Sequence, residues 1–269
     1  LRQKLVNRIK PFILRRLKTD VAKELPEKTT IEVNIDMNDQ QSKLYEAVRA
    51  TMQENIQKIV AEKGFKRSQI QILDALLKLR QVCCHPSLLK LDSVKTGQAH
   101  SAKLEQLMDM VVPMVEEGRK ILIFSQFTSM LELIEQQLHH AEIGYVKLTG
   151  KTKKRDEVIT AFQSGQVPVF LISLKAGGVG LNLTAADTVI HYDPWWNPAA
   201  EDQASDRAWR IGQDKPVFVY KLITNKSIEE KILALQQNKA ELAHSILSTD
   251  HEGEAKLTEN DVMNLFEKF

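Results

Sequence analysis

The sequence predicts an α/β protein: a parallel sheet sandwiched by helices, preceded by a smaller, purely helical protrusion. Two observations carry the sheet. From Ser101 onward, apolar runs of five to seven residues alternate with longer segments of helical period. These runs are apolar at successive positions, as strands covered on both faces are. A third observation carries the protrusion: before residue 100, two long stretches of helical period follow each other across a short break, the pattern of an antiparallel helical pair.

The elements follow in order. Residues 1–30 hold nine Lys or Arg against three acids, a local +6, while the whole chain carries +2, leaving −4 for the remainder. A basic end on a near-neutral body permits a polyanionic partner and equally suits a solvated charged face. "TIEVNI" (Thr30 to Ile35) alternates like a strand. Met37-Asn38-Asp39 supplies a turn and cap, a helix runs over 39–63, Gly64 breaks it, and a second helix over 68–84 stops at His85-Pro86. Leu73, Leu76, Leu77 and Arg80 follow helical spacing in that second stretch. "DSVKTGQAHS" (Asp92 to Ser101) is polar without apolar period and reads as a linker.

Beyond it, Leu104, Leu107, Met108 and Val111 share one helical face. Strands are expected at 120–124, 145–149, 167–173, 187–193 and 217–223, with helices at 128–140 and 153–162 between them. At the far end, Thr258 caps a short helix that places Val262, Leu265 and Phe266 on one face, to dock on the lobe or to stand exposed as a partner-binding helix. The expected division is therefore a basic segment with a first strand (1–36), the helical protrusion (37–92), a linker (93–100), the sheet lobe (101–246) and a tail (247–269).

With 269 residues and 43% hydrophobic content, the chain has material for one domain with a large insertion, or for two. No apolar run approaches the roughly 20 residues that cross a bilayer, so a membrane is not an expected partner. Vicinal Cys83 and Cys84 cannot staple distant segments, which points to a reducing, intracellular compartment. Beginning on Leu1 inside a basic amphipathic stretch, the chain reads as a piece of something longer.

In an open parallel sheet, ligands gather outside the carboxyl ends of the strands. "SLKAGGVGLNLT" (Ser173 to Thr184) leaves a strand with Gly177, Gly178 and Gly180 crowded beside Ser173 and Lys175. Backbone amides there can approach a phosphate while the lysine neutralises it; a plain tight turn explains the glycines equally well. "LTGKTKKR" (Leu148 to Arg155) contains Gly150-Lys151-Thr152, but a phosphate loop of the G-x-x-x-x-G-K-[ST] type needs glycine at Tyr145, so a basic loop is the better reading. "YDPWWNP" (Tyr192 to Pro198) frames Trp195 and Trp196 with prolines. Either ring belongs to the core or stacks against a nucleic acid.

"EDQASDRAWRIGQ" (Glu201 to Gln213) is the segment richest in possible chemistry. If it is helical throughout, Gln203, Asp206, Arg207 and Arg210 share one face that no apolar residue claims. Cys83, Cys84 and His85 lack the two-by-two spacing of a zinc site, so no metal centre is expected.

Taken in order, these blocks resemble the C-terminal RecA-like lobe of the SWI/SNF-type DNA-dependent ATPases, within the superfamily two helicases. "KPFILRRLKTDVAKELPEK" (Lys10 to Lys28) is similar to the basic element beyond the first lobe, and "LRQVCCHPSLL" (Leu79 to Leu89) to the helical protrusion. "ILIFSQFTSML" (Ile121 to Leu131) resembles motif IV, "KLTGKT" (Lys147 to Thr152) the block after it, "SLKAGGVGLNLTAADTVI" motif V and "QASDRAWRIGQ" motif VI. Trp209 stands where the family more commonly has His, and the compact spacing is similar to that of bacterial and archaeal members.

The resemblance implies a RecA-like, P-loop NTPase fold and half of an ATP hydrolase that moves along double-stranded DNA. Arg207 and Arg210 would be arginine fingers to ATP, with Gly180, Gln203 and Asp206 around the nucleotide. ATP and Mg2+ would be held mainly by a first RecA-like lobe of the same full-length protein, absent from this sequence. DNA would be gripped through its backbone by Ser125, Gln126, Thr149, Gly150, Ser173, Lys175, Gly177, Gly178 and Trp196, without sequence preference. Lacking the phosphate loop and acidic block of the first lobe, the isolated chain is expected to be essentially inactive. A non-catalytic DNA- or protein-binding module, and a self-sufficient nucleotide enzyme using Gly150-Lys151-Thr152, are the alternatives.

Overall fold

The computed structural model describes residues 24–89, 100–176, 180–237 and 259–269. Six strands pair into one all-parallel sheet: β1 (Lys28–Ile35), β2 (Ile121–Ser125), β3 (Tyr145–Leu148), β4 (Val169–Ser173), β5 (Thr188–His191) and β6 (Val217–Thr224). Their order across the sheet is β1-β6-β5-β2-β4-β3. Every apolar run expected to be a strand is one.

The first strand belongs to the sheet. Lys28 through Ile35 pair residue for residue with Val217 through Thr224, which makes β1 the sheet's edge. In chain order the helical protrusion is thus inserted between β1 and the other five strands of one hydrogen-bonded layer.

Side-chain alternation along the strands fills two cores, one per face. Ile121, Ile123, Val169, Leu171 and Ile190 point to the face covered by α3 (Ala102–Glu116) and α4 (Thr128–His140), meeting Leu104, Leu107, Val111, Met130, Ile134 and Leu138. Leu122, Phe124, Phe170, Ile172 and Val189 point the other way, onto Phe162 of α5 (Arg155–Gln163) and Ala204 of α6 (Pro198–Ser205).

The protrusion consists of α1 (Asp39–Lys63) and α2 (Gln69–Cys84). Asn38 caps α1 by accepting the Gln41 N–H at 2.8 Å, and Gly64, at φ 77°, ends it in a conformation that a side chain would strain. Leu76 and Leu79 are buried, whereas Leu73 and Leu77 lie exposed with Ile70, so the helical spacing holds but these three turn away from the core. The third core joins α1 and α2 to Ile228 and Ile232 of α7 (228–237) and to Val262, Leu265 and Phe266 around α8 (Glu259–Leu265). The described end of the tail, residues 259–269, therefore packs against the protrusion and α7 of the lobe; the expected cap Thr258, the rest of the tail and residues 1–23 lie outside the described residues.

Buried polar groups fasten the protrusion to the sheet lobe. Gln41 donates to the Val82 carbonyl at 2.9 Å and accepts the Ala102 N–H at 3.2 Å. Ser101 Oγ and Tyr192 Oη both donate to the Cys84 carbonyl, at 2.7 and 2.8 Å. Lys103 Nζ, fully buried, pairs with Glu229 and donates to the Leu222 carbonyl at 3.2 Å. Cys83 and Cys84 are free and buried in this seam, where desolvation pushes both thiols up and leaves them protonated.

Candidate functional site

The carboxyl ends of β2, β4 and β5 lie side by side, and the loops leaving them carry most of the residues singled out in the sequence. The chain proceeds from β2 to β3 and β4 on one side, then crosses back to β5 on the other. The crevice beside β2 is therefore the topological switch point of the sheet.

At the end of β2, the Ser125 hydroxyl is fully buried and donates to Asp193, just past β5, while also accepting the Phe127 N–H at 3.2 Å. Ser173, at the end of β4, is buried too, with its hydroxyl accepting the Ala176 N–H at 3.3 Å. In the structure each of these two hydroxyls shapes the turn that follows its strand. Gln126 is half-buried; its side-chain oxygen accepts from Arg80 at 2.8 Å, and its backbone N–H donates to both Asp193 oxygens at 3.3 Å.

The exposed members of the expected set are Gly150 and Lys175, with Thr149 half-exposed beside them. Thr149 and Thr152 close the basic loop on itself, Thr149 N–H donating to Thr152 Oγ1 at 3.0 Å and Lys151 N–H to Thr149 Oγ1 at 3.3 Å. Gly177 and Gly178 lie outside the described residues. Gly180 is exposed at φ 47°, and a Cβ there would meet nothing within 4 Å, so its glycine serves conformation or an approaching ligand.

Trp196 is half-buried and packs on the protrusion core. Its ring centroid lies 5.6 Å from the Arg80 guanidinium carbon, with Trp195 and Phe127 each at 5.9 Å. Arg80 thus joins the protrusion to the site: it donates to the Pro194 carbonyl at 2.5 Å and lies 3.6 Å from the Asp193 carboxylate. The sequence marked Arg80 only by its place in a helical repeat. A cation at a position spaced for burial was the available signal, because such a group has to find partners.

The segment 201–213 is not helical throughout. α6 ends at Ser205, and residues 206–212 form a series of turns. Gln203 and Arg210 are exposed while Arg207 is 8% exposed, so the four polar residues do not share a face. Ala204 and Ala208, four residues apart, take the inward positions instead.

This turn is held from several sides. Gln213 Nε2 donates to the Thr184, Ala186 and Ala208 carbonyls at 3.1, 2.7 and 3.0 Å, and Leu183 N–H donates to the Arg207 carbonyl at 3.0 Å. Upstream, Glu201 accepts the Trp195 N–H at 2.6 Å and pairs with Lys221 of β6 at 2.8 Å. His191 at the end of β5 meets Ser205 Oγ at 2.8 Å. That hydroxyl donates to the Glu201 carbonyl, so the histidine Nε2 carries the proton and its buried Nδ1 stays bare.

Arg207 lies with its guanidinium carbon 5.9 Å from the Phe124 ring centroid, and its Nη1 is buried without a hydrogen-bond partner. Burial lowers its pKa below the ordinary arginine value, yet a guanidinium keeps its charge in proteins. A buried, charged donor without an acceptor is costly unless an anion completes it. Asp206, half-buried, pairs with Lys28 at 3.3 Å.

A six-stranded, all-parallel sheet in this order, covered by helices on both faces, is the architecture of a RecA-like lobe. Residues 102–212 match the helicase conserved C-terminal domain, and residues 1–88 the SNF2-related domain. An uncharacterized ATP-dependent helicase of Mycoplasma pneumoniae is 40% identical over 98% of this chain; the chain spans 25% of that relative's length. The Sulfolobus solfataricus SWI2/SNF2 ATPase C-terminal domain superposes with a TM-score of 0.68 at 32% identity, covering 90% of this chain and 100% of that one. The SWI2/SNF2 ATPase core of the same organism, solved in complex with dsDNA, gives 0.69 at 37% identity, covering 91% of this chain and 52% of that one. The chain belongs to the SWI/SNF (SNF2-related) family and corresponds to its C-terminal, RecA-like lobe.

Proposed function

We propose that this chain is the second motor lobe of an ATP-dependent double-stranded DNA translocase or remodeller. The observation that carries the reading is the Arg207 guanidinium, buried with a bare Nη1 in the turn that also carries the exposed Arg210. Those residues fit a polyphosphate, because an oxygen of ATP would supply the acceptor that the protein withholds. Bound ATP supplies the scissile phosphoanhydride, and its terminal phosphate gathers negative charge as that bond breaks.

In this reading Arg207 and Arg210 neutralise that charge, a contribution worth roughly 10³ to 10⁵ in rate in comparable phosphoryl-transfer enzymes. Gly180, Gln203 and Asp206 border the nucleotide, whose phosphates and Mg2+ rest mainly on the first lobe of the full-length protein. Thr149, Gly150, Lys175 and the glycines of motif V grip the DNA backbone. Gln126 and Trp196 border that grip, while Ser125 and Ser173 hold the shape of the turns. The likeness to a SWI2/SNF2 core solved with dsDNA supports a DNA partner, and contacts to phosphates alone make binding sequence-independent and steeply salt-dependent.

Hydrolysis by this chain alone tests the division of labour. Turnover at the rate of the full-length protein would overturn it; negligible turnover by the isolated lobe, restored when the first lobe is present, is the expected result.

A further inference from the structure

Trp209, which lies between the two arginines, makes contacts that neither arginine shares. Its indole Nε1 donates to the Pro26 carbonyl at 2.7 Å, and Lys28 Nζ lies 4.8 Å above its ring centroid. Lys28 also pairs with Asp206, on the other side of Arg207, at 3.3 Å. Pro26 lies just before β1 and Lys28 opens it, and the strand's pairing with β6 begins where Val217 N–H donates to the Glu27 carbonyl at 2.9 Å. The arginine turn is therefore clamped on both flanks of Arg207 to the backbone and side chain of the incoming strand, across 178 and 183 residues of sequence.

The chemistry of this clamp is particular to tryptophan. Indole offers one N–H donor and a large electron-rich face, so a single side chain can hold a carbonyl at its edge and an ammonium over its ring. Histidine at this position is too small to offer that face together with a donor of the same reach. The Lys28–Asp206 pair is partly exposed and weak by itself; its part is to keep the ammonium over the ring and the Asp206 side of the turn against β1.

We propose that Trp209 and Lys28 are positioning residues. They fix the arginine turn to the segment entering β1, so that displacement of this segment is carried to Arg207 and Arg210. The inference rests on the proposed role of those arginines in hydrolysis. It adds that their placement is set by the strand-entry segment and not by the sheet lobe alone.

The test uses the full-length protein with Trp209→Phe, Trp209→Ala and Lys28→Met. Phe keeps the ring face and loses the N–H, and Met keeps the stem and loses the charge. DNA-saturated kcat, KM for ATP, DNA affinity and melting temperature are measured for each. A misplacement of the order of 1 Å at reacting groups costs up to about 100-fold in rate. Trp209→Ala is accordingly expected to lower kcat by about tenfold or more, with KM for ATP and DNA affinity held within about twofold. Trp209→Phe and Lys28→Met should fall between it and the parent.

A melting temperature that drops while kcat of the folded variants stays within about twofold overturns the proposal and leaves Trp209 a stability residue. Equal losses in kcat and DNA affinity overturn it as well. If Trp209→Ala does not fold, the same criteria apply to Trp209→Phe and Lys28→Met. Arg207→Gln, run in parallel, separates the two levels: unchanged turnover there refutes the arginine reading itself, whereas its loss beside an unaffected Trp209→Ala refutes only the clamp.

Discussion

The Arg80 guanidinium, on the second helix of the protrusion, lies 3.6 Å from the Asp193 carboxylate beyond β5, with both side chains almost wholly removed from water. Arg80 also donates to Gln126 and to the Pro194 carbonyl, while Asp193 accepts from Ser125 and from the Gln126 backbone. One cation and one anion thus lock together the ends of two strands and the inserted helices.

Removing one member of such a pair leaves the other charged and unpaired in a dry site, which costs about 3–5 kcal/mol. Arg80→Met should destabilise the chain by that amount in denaturant titrations. Arg80→Lys should recover little of it, because an ammonium cannot serve Gln126, Asp193 and the Pro194 carbonyl with one planar fork.

The Lys103–Glu229 pair joins α3 to α7 under the same rule. Lys103→Met alone and Glu229→Leu alone should each cost about 3–5 kcal/mol, and the double substitution less than their sum. A double-mutant cycle by chemical denaturation measures this, and simple additivity would show that the two charges do not depend on each other.

Stability should fall on mild acidification. Desolvation pushes the folded-state pKa of His191 down from 6.5 to about 4, and that of His85 likewise. The unfolded chain therefore takes up protons that the folded chain refuses: this stability is present above pH 6.5 and is lost as the pH falls toward 4. Asp193 opposes the trend, since burial raises its carboxyl from 3.8 to about 6; its contribution is present below its unfolded pKa and lost as the pH rises through 6. His191→Gln keeps a donor for Ser205 without titrating. It should shrink the stability gap between pH 7 and pH 5 by up to about 2 kcal/mol. An unchanged gap would mean that His191 is not held neutral.

Lys175 is exposed on the turn after β4, where the proposed function puts a DNA phosphate. Lys175→Gln in the full-length protein should weaken DNA binding equally for unrelated sequences and reduce the slope of log K against log salt by about 0.9. An unaltered slope would remove Lys175 from the interface.

Much of the fold was legible because local pattern and tertiary role coincided. Runs such as "ILIFS" are apolar on both sides because each side meets its own core, and Asn38 and Gly64 mark the bounds of α1 by local backbone chemistry. What stayed hidden depends on contacts far apart in sequence. Nothing near Thr30 says that this strand pairs with Val219, and Arg80 declares its partners only once β5 is in place.

The site was legible in its residue types more than in its geometry. Motif VI has helical spacing throughout, yet α6 stops at Ser205, and the turns that follow give carbonyls to the Gln213 side chain and to Leu183 N–H from outside any helix. Ser125 and Ser173 resemble ligands in sequence, but strand-end hydroxyls also satisfy backbone amides locally, and here they do so.

The most direct measurement is the DNA-stimulated ATP turnover of the full-length protein carrying Arg207→Gln or Arg210→Gln. The account predicts a loss of about 10³-fold or more in kcat with DNA affinity largely kept. Turnover equal to that of the parent protein in both variants would contradict it.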